Sequence, residues 1–426
     1  MSKTVSPLLH EDRLSALDLI RGVAVLGVLL ANIPHFCGPE IPRHKMPYAD
    51  QNVAAITQLV VDNKFITMLA ILFGAGLGIQ YFKAKQMARP FAVSYLWRQF
   101  LLYLIGLTHI ALLWFGDILA TYAIISVIVV VVVLLGPAFE KGFIFLGLSW
   151  CYFLVAVGLM ITVLLGPEFW DKFSNEKQLE MPPGNTPVSL ISGEQRFDQR
   201  FQAYFTPENS IRIYRHGTFL DQAGHRLLFH LISVCFALPF VLIAYLGACF
   251  LIGVQLVRLS VFEAHTRPGW VYSDFVTMGL YIGVPLQVLA VVLGWLDPRS
   301  RWSAFAHVVA VLPMALLYLV LLTKWNESSF LPRLQARFRA VGRMALTNYL
   351  VQSLVSVWFF NNWGLGFYGH TGLLGGLVVV VSVWVLELLW SPLWLSVFHM
   401  GPVEWFWRSV ASFKPMPVFA KREMNV

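Results

Sequence analysis

A histidine and an aspartate lie eight positions apart in an otherwise apolar stretch, at His109 and Asp117 in LTHIALLWFGDILATYA (107–123). A carboxylate bonded to one ring nitrogen of a histidine fixes its tautomer and makes the other nitrogen more basic. General bases are commonly built in this way. Simpler explanations exist for each residue. Asp117 follows Gly116 at a predicted helix start, where aspartate is a favoured N-cap, and His109 could be a buried histidine bonded to a neighbouring helix.

The composition indicates that this stretch lies in a membrane. The chain has 426 residues, of which 58% are hydrophobic and 13% charged, whereas soluble domains average about 25% charged residues. Apolar runs of about 18 or more residues recur along the chain, and each is long enough to cross ~30 Å of hydrocarbon. We therefore predict an all-α, polytopic membrane helical bundle.

The net charge of +8 does not indicate a nucleic-acid-binding protein. The lysines and arginines lie in short loops between apolar runs, as topology signals do. No dinucleotide-binding fingerprint, P-loop or zinc-ligand spacing occurs. The four cysteines form no CxxC pair, so the sequence predicts neither a metal site nor a disulfide. The polar N-terminus shows no small-residue cleavage site, so the first span is expected to be retained.

The apolar runs predict ten membrane-spanning helices, with approximate bounds of 17–36, 64–82, 95–114, 117–135, 142–166, 227–258, 272–295, 303–323, 343–362 and 373–398. With the N-terminus in the cytoplasm, the inner segments hold 19 of the 31 lysines and arginines. Short loops with many positive charges usually stay in the cytoplasm. We therefore predict cytoplasmic termini, two membrane halves (1–166 and 227–426), and an extracytoplasmic segment at 167–226 that is either a lid or a solvated connector.

Polar residues within the predicted spans form one cluster near each membrane face, with Glu387 between them. The inner cluster comprises Asp18, Arg21, Asn348 and Gln352, and the outer cluster comprises Asn32, His35, His109 and Asp117. Ionisable residues within spans are costly and usually face the bundle interior, so a cavity open to both faces would collect such residues. Asp18 and Arg21, three residues apart, could also form only an interfacial ion pair.

Gly74 and Gly78 lie four residues apart in LFGAGLG (72–78). Small residues at this spacing let membrane helices approach closely. Helix packing is therefore the expected role of these two glycines.

Five blocks, in the same order along the chain, resemble the signatures of the YeiB-like family of bacterial inner-membrane proteins. They are RLSALDLIRGVAVLGVLLANI (13–33), KFITMLAILFGAGLGIQ (64–80), GLTHIALLWFGDILATYA (106–123), GRMALTNYLVQS (342–353) and GPVEWFWRS (401–409). The family is in turn similar, through the LDLIRG opening, to the transmembrane acyltransferases, which include a heparan-glucosaminide N-acetyltransferase. The resemblance implies a ten-helix core that carries an acyl group from cytoplasmic acyl-CoA to an acceptor on the far side.

The resemblance also suggests roles for individual residues. Arg21 matches the helix 1 arginine of the acyltransferases. The glycan O-acyltransferases carry a histidine eleven positions later, where this chain has Asn32. The N-acetyltransferases also have asparagine there and a working histidine in the following loop, where His35 and His44 are the secondary candidates here. His109 belongs to the YeiB-like signature itself and is the first candidate.

The leading hypothesis is an acyltransferase whose co-substrate is acyl-CoA, such as acetyl-CoA. Arg21 and Arg343 would bind phosphates, because the planar arginine fork binds two oxygens. His109, oriented by Asp117, would deprotonate the acceptor, and an amide would stabilise the oxyanion. The amide proposed is that of Asn32, and the further substrate-binding candidates are Asp18, Asn348, Gln352 and Glu387. The acceptor is a glycan, a lipid or a small molecule, and the resemblance is compatible with a homodimer.

Two other functions account for the same features. A transporter or flippase for a small or lipid-linked solute would also use polar clusters near both faces, although no internal repeat of the kind common in transporters is evident. A membrane scaffold or sensor would need no turnover. CoA release that depends on His109 would favour the acyltransferase, and solute flux into vesicles without CoA would favour the transporter.

Overall fold

The computed structural model describes residues 7–39, 41, 43–165, 206–237, 242–263, 266–298 and 300–419, and in these residues it contains helices but no strand. The first half contains α1 (Pro7–Cys37), α2 (Tyr48–Val60), α3 (Lys64–Gln86), α4 (Ala92–Leu112), α5 (Ile118–Leu135) and α6 (Pro137–Leu165). The second half contains α7 (Pro207–His216), α8 (Phe219–Ala237), α9 (Ile243–Arg258), α10 (Gly269–Met278), α11 (Val284–Leu296), α12 (Arg301–Glu327), α13 (Pro332–Arg343), α14 (Ala345–Phe360), α15 (Gly372–Val397) and α16 (Pro402–Ser412).

The predicted all-α membrane bundle is confirmed, but fewer helices than predicted meet the length and hydropathy expected of a span. Seven helical stretches in the described part of the chain are long and apolar enough to cross a membrane: Ser15–Cys37, Tyr48–Gln86, Ile118–Leu135, Pro137–Leu165, Gly269–Leu296, Arg301–Glu327 and Gly372–Val397. Two of the remaining predicted spans are represented by the shorter apolar helices α9 and α14. The third, α4, carries Arg98, Gln99 and His109, which lower its hydropathy.

The predicted single helix 227–258 corresponds to two helices, α8 and α9, and α8 begins earlier than predicted. Thr218 and Asp221 form a capping box, in which the Thr218 backbone N–H donates to the Asp221 carboxylate and the Asp221 N–H donates to the Thr218 hydroxyl. Residue 226, the predicted end of the extracytoplasmic segment, therefore lies within α8. Residues 166–205, which include the MPPGNTP loop (181–187), lie outside the described residues.

Gly74 and Gly78 of α3 serve close helix packing, as the sequence predicts, and a Cβ atom on Gly78 would lie 3.2 Å from Val254 Cα of α9. A Cβ atom placed on Gly74 would lie 1.9 Å from the Phe250 carbonyl oxygen of α9, and one on Gly253 of α9 would lie 1.9 Å from the Ile71 carbonyl oxygen. Such contacts leave no room for any side chain. The backbones of α3 and α9 therefore touch, and this contact lies within the largest buried apolar cluster of the protein.

A second close contact sets the position of α13 at the N-terminal part of α1. A Cβ atom on Gly22 would lie 2.0 Å from the Phe338 carbonyl oxygen, and one on Gly342 would lie 1.8 Å from the Asp18 carbonyl oxygen. Because Arg21 and Arg343 directly neighbour these glycines in the sequence, the contact brings two arginines to one end of the bundle.

We predict that Gly74→Ala lowers the thermal unfolding temperature of the purified protein, because the added methyl group meets backbone atoms of α9. Overpacking of this kind costs about 1–3 kcal/mol. Gly76→Ala is the matched control, since a Cβ atom there has no neighbour within 4 Å and alanine favours a helix by up to about 1 kcal/mol. Equal unfolding temperatures for the two variants would contradict the tight α3–α9 contact.

Candidate active site

The structure brings His109 and Asp117 together at the turn between α4 and α5. His109 lies in the last turn of α4, and Asp117 is the N-cap residue of α5. The His109 Nδ1 atom lies 2.8 Å from Asp117 Oδ2, and the two side chains are 1% and 0% exposed. With a carboxylate as partner, Nδ1 carries the proton of a neutral ring, so that Nε2 is left as the basic nitrogen.

Asp117 serves both as a helix cap and as the partner of His109. Its Oδ1 atom accepts the backbone N–H of Ala120 at 2.6 Å, which is the N-cap bond. Its Oδ2 atom also accepts the Tyr349 hydroxyl of α14 at 3.5 Å. The Tyr349 ring lies beside the imidazole, with 5.1 Å between the ring centroids. The two explanations that the sequence left open for Asp117 therefore hold together.

The Nε2 atom of His109 is buried and has no hydrogen-bond partner among the described residues. His109 lines a groove of about 430 Å³ between α4, α14 and α16. We call this the lateral groove, and its lining includes Leu101, Leu104, Thr108, His109, Leu350 and Phe406. Burial of a polar atom without a partner costs about 1–3 kcal/mol, so the free nitrogen is the feature that packing alone does not explain.

Helix α8 holds the turn that carries the pair. The Arg226 guanidinium, which is only 1% exposed, donates from Nε and Nη2 to the Ala111 carbonyl oxygen at the end of α4. The His230 ring donates to the Phe115 carbonyl oxygen in the same turn. The last carbonyls of a helix lack partners within the helix, and a cation at that end is also favoured by the helix dipole. Arg226 therefore fixes the end of α4 one turn from His109.

A second cavity, of about 540 Å³, lies at the other end of α4. Four arginines from four helical segments line it: Arg21, Arg98, Arg343 and Arg408. We call it the arginine cavity. Asp18 also lines it and pairs with Arg21 at 3.0 Å, so the interfacial ion pair that the sequence allowed is present and lies at the wall of a cavity.

A third cavity, of about 290 Å³, adjoins the arginine cavity and extends towards the His109–Asp117 pair. The two share the lining residues Arg21, Gly76, Gln80, Arg343, Trp407 and Arg408. We call it the apolar cavity, because its other walls are mostly leucine and aromatic side chains, and it reaches Ile118 and Tyr349. Both residues adjoin Asp117, one in sequence and the other through its hydroxyl. The two cavities therefore extend from the arginines to residues that neighbour Asp117.

Helix α16 separates the apolar cavity from the lateral groove. Glu404 attaches it to the start of α14, because one carboxylate oxygen accepts the backbone N–H groups of Leu346 and Thr347 at 2.7 and 3.1 Å. The other oxygen accepts the Thr347 hydroxyl. The Trp407 indole donates to the Arg98 carbonyl oxygen of α4 at 3.2 Å. A carboxylate at a helix N-terminus is favoured by the orphan N–H groups and by the helix dipole.

Asn32 and His35 lie in a different place from His109. They line a cavity of about 300 Å³ together with Asp62 and Asn63. The His35 ring also packs 6.0 Å from Phe115, on the turn between α4 and α5. The structure does not place Asn32 on the lining of the lateral groove or of the apolar cavity. His44 falls in a short 3₁₀ turn, Arg43–Lys45, and its side chain lies outside the described residues.

The remaining predicted site residues lie in the interface of α14 and α15. The Asn348 amide donates to Val341 O and Ser391 Oγ at 3.2 and 3.1 Å. Gln352 Nε2 donates to the buried Glu387 carboxylate at 2.9 Å. The structure does not place any of Asn348, Gln352 and Glu387 among the described lining residues of the groove and the two adjoining cavities. These three residues lie in a hydrogen-bonded helix interface, in which Glu387 Oε1 is buried and has no hydrogen-bond partner among the described residues.

All five sequence blocks that resemble the YeiB-like signatures contribute to these cavities. The lining includes Arg21 from the first block, Gln80 from the second, His109 from the third, Tyr349 from the fourth and Arg408 from the fifth. Segments far apart in the sequence thus meet around one connected site.

Comparisons with known proteins show which family the chain belongs to. The chain is 31% identical to the uncharacterized protein YeiB of Escherichia coli (strain K12), over 96% of this chain and 99% of that protein. The chain belongs to the YeiB-like family. It is also 27% identical to the uncharacterized protein YxaH of Bacillus subtilis (strain 168), over 99% of this chain and all of that protein. No solved structure matches the chain.

The family described as a protein of unknown function (DUF418) matches residues 256–414. In this YeiB-like chain, the match includes Arg343, Tyr349, Glu404 and Arg408, whereas His109 lies outside it. The matched region thus forms one wall of the site, and the N-terminal half supplies the histidine.

Several residues of the site were not predicted from the sequence: Arg98, Tyr349, Glu404, Trp407, Arg408 and Arg226. A signal for two of them was present, because Glu404 and Arg408 lie four residues apart in the GPVEWFWRS block, on one face of a helix. For Tyr349 and Arg226 we find no such signal, because their partners lie more than 100 positions away.

We predict that Glu404→Ala releases α16 from α14, because the first N–H groups of α14 lose their acceptor. Loss of a helix cap costs about 0.5–2 kcal/mol. Backbone hydrogen exchange at 402–412 should then rise by about two- to thirtyfold, with the larger value corresponding to the upper limit. Glu404→Gln, which keeps a carbonyl acceptor, is the control. Unchanged exchange in Glu404→Ala would show that other contacts hold α16.

Proposed function

We propose that this protein is a transmembrane acyltransferase of the bacterial inner membrane, which takes an acyl group from acyl-CoA in the cytoplasm. One observation carries the proposal: the arginine cavity and the apolar cavity adjoin and extend to Ile118 and Tyr349, which neighbour Asp117 of a buried histidine–aspartate pair. The four arginines would bind phosphate groups, and the His109–Asp117 pair would transfer a proton.

The arginine cavity supports a donor with several phosphates. Arg21, Arg98, Arg343 and Arg408 contribute to a single cavity in which Asp18 is the one acidic residue among the described lining. Arginine binds phosphate through two parallel N–H groups, and such bonds are roughly twice as strong as neutral ones. In the proposed orientation this cavity opens to the cytoplasm, where CoA thioesters are made.

The distance between the two ends supports a long, flexible donor and disfavours a compact one. Arg98 and His109 lie on the same helix, 11 residues apart, which corresponds to about 17 Å along the axis. A phosphate at the arginines and a reactive carbonyl near His109 must therefore be joined by an extended arm. The walls between them are mostly apolar, with polar side chains that include Gln80 and Gln99, and with Glu404, whose carboxylate is bonded to the start of α14. Such walls would accommodate an uncharged amide-containing arm such as that of CoA.

His109 acts as the general base in this proposal. Its Nε2 atom takes the proton of an acceptor hydroxyl, and the hydroxyl oxygen bonds to the thioester carbonyl carbon. The carbon–sulfur bond then breaks, and the proton passes from His109 to the leaving thiolate, so that an ester and free CoA are formed. Asp117 keeps the ring in the reactive tautomer and stabilises the imidazolium, and its bonds to Ala120 and Tyr349 hold it still.

A transporter has less support from the same contacts. The polar residues deepest in the spans, Gln352 and Glu387, bond to each other within a helix interface, whereas a transport path needs them on a water-filled wall. The role of Asn32 as an oxyanion donor is not part of the proposal, because Asn32 lines another cavity.

We predict that His109→Gln lowers CoA release from acetyl-CoA by about 100-fold or more, since general bases contribute about 10²–10⁴-fold to rates. The assay uses purified protein in vesicles of phosphatidylethanolamine and phosphatidylglycerol, with radiolabelled acetyl transfer followed in the lipid extract. His370→Gln, at an exposed position, is the control. CoA release that survives in His109→Gln would remove His109 from the mechanism.

We predict that Arg343→Gln and Arg408→Gln each weaken CoA binding by about tenfold or more, because a charge-assisted hydrogen bond contributes about 1.5–3 kcal/mol. Isothermal titration of CoA into the protein in detergent measures this. Arg337→Gln is the matched control, since Arg337 is exposed on α13 and lies off the described lining of the cavity. Equal affinity of all three variants would contradict phosphate binding at the arginines.

A further inference from the structure

The lateral groove is open towards the side of the helix bundle. Leu104 and Leu112 of α4 are 42% and 45% exposed, and Phe406 of α16 is 56% exposed. In a membrane protein, exposed apolar side chains on a predicted span such as α4 face the hydrocarbon chains of lipids. The groove is therefore accessible from within the bilayer, whereas the arginine cavity is lined by charged residues and lies at the other end of α4.

The groove has the length and the lining of a hydrocarbon site. It extends along α4 from Leu101 to Leu113, which corresponds to about 18 Å of helix. None of its described lining residues is Lys, Arg, Asp or Glu, and its polar side chains are those of Thr108, His109 and Trp407. A lipid chain would fit these walls, whereas a charged headgroup would lack a partner.

The polar end of the groove is the His109 ring. Its Nε2 atom is buried and has no partner among the described residues, and the Thr108 hydroxyl one residue earlier donates to the Leu104 carbonyl oxygen at 2.9 Å. A free Nε2 accepts a proton or a hydrogen bond. The complementary group is a neutral hydroxyl, which donates one hydrogen bond and carries no charge.

We infer that the acyl acceptor is a hydroxyl-bearing membrane lipid that enters the lateral groove from the bilayer, with its chain against α4 and α16 and its hydroxyl at His109 Nε2. This inference rests on the proposed function and specifies its acceptor. The hydroxyl oxygen bonds to the acyl carbon, the carbon–sulfur bond of the thioester breaks, and the products are an esterified lipid and CoA.

The position of α16 agrees with separate entry of donor and acceptor. Phe406 and Val410 line the lateral groove, and Arg408 lines the arginine cavity and the apolar cavity. Trp407 lines the groove and both cavities. On α14, the consecutive residues Tyr349 and Leu350 line the apolar cavity and the groove respectively. The groove and the apolar cavity are thus separated by single side chains, with His109 on the groove side and Tyr349 on the cavity side.

The test uses a long-chain primary alcohol that carries a photoreactive diazirine and an alkyne tag, in vesicles of phosphatidylethanolamine and phosphatidylglycerol. Saturable labelling is expected on peptides of α4 and α16, and unlabelled hexadecanol should compete with it. Leu104→Trp fills the groove and should lower this labelling by about tenfold, which corresponds to about 1.4 kcal/mol of binding free energy. Leu386→Trp, at an exposed leucine of α15, should leave it unchanged.

The groove and the catalytic reaction are tested separately. His109→Gln should keep the labelling of the groove walls and lose formation of the acetylated alcohol. Val410→Trp, on the opposite wall, repeats the test if Leu104→Trp does not fold. Non-saturable labelling spread over all lipid-facing helices would overturn the lipid site. Saturable labelling without CoA release in the wild type would instead overturn the proposed function and the acceptor role with it.

Discussion

The hydrogen bond between His109 and Asp117 is the interaction on which the arrangement of the site depends. The Asp117 side chain is fully buried, and its two oxygens accept hydrogen bonds from an α5 N–H group, the imidazole and the Tyr349 hydroxyl. One carboxylate therefore fixes the start of α5, the orientation of the ring and the approach of α14. With Nδ1 engaged, the chemistry of the ring is confined to Nε2, which is buried, in a residue that lines the lateral groove.

The same rule, that polar groups within a membrane must find partners inside the protein, explains the elements around the pair. Arg226 binds the end of α4, and Glu404 binds the start of α14. These two contacts hold the ends of the helices that carry His109 and Tyr349. In the arginine cavity, Arg343 and Arg408 are exposed, although Arg343 also donates a hydrogen bond to the His399 carbonyl oxygen. Their exposed guanidinium groups can reach a ligand in the cavity.

Much of the fold and part of the site could be predicted from the sequence. The helical membrane character followed from composition, and the packing role of Gly74 followed from local spacing. His109 and Asp117 could be paired because a short turn separates them in the chain. Asn348 and Gln352 were also seen to share a helix face, but that face packs against α15, and no local pattern distinguishes a packed polar face from one that lines a cavity.

The sequence by itself determined that this chain is a YeiB-like membrane bundle with a histidine and an aspartate at one helix turn. These features follow from the composition, from the order of the sequence blocks and from the spacing of residues that are close in the sequence. All three are independent of the tertiary structure. Only the tertiary structure decided which distant residues join them: Arg98 and Arg408 with Arg21 and Arg343, Tyr349 with Asp117, and Glu404 with α14. The physical reason is that helices in a bilayer are positioned by close backbone contacts, such as Gly22 with Phe338 and Gly74 with Phe250. Those contacts exist only after the helices have assembled.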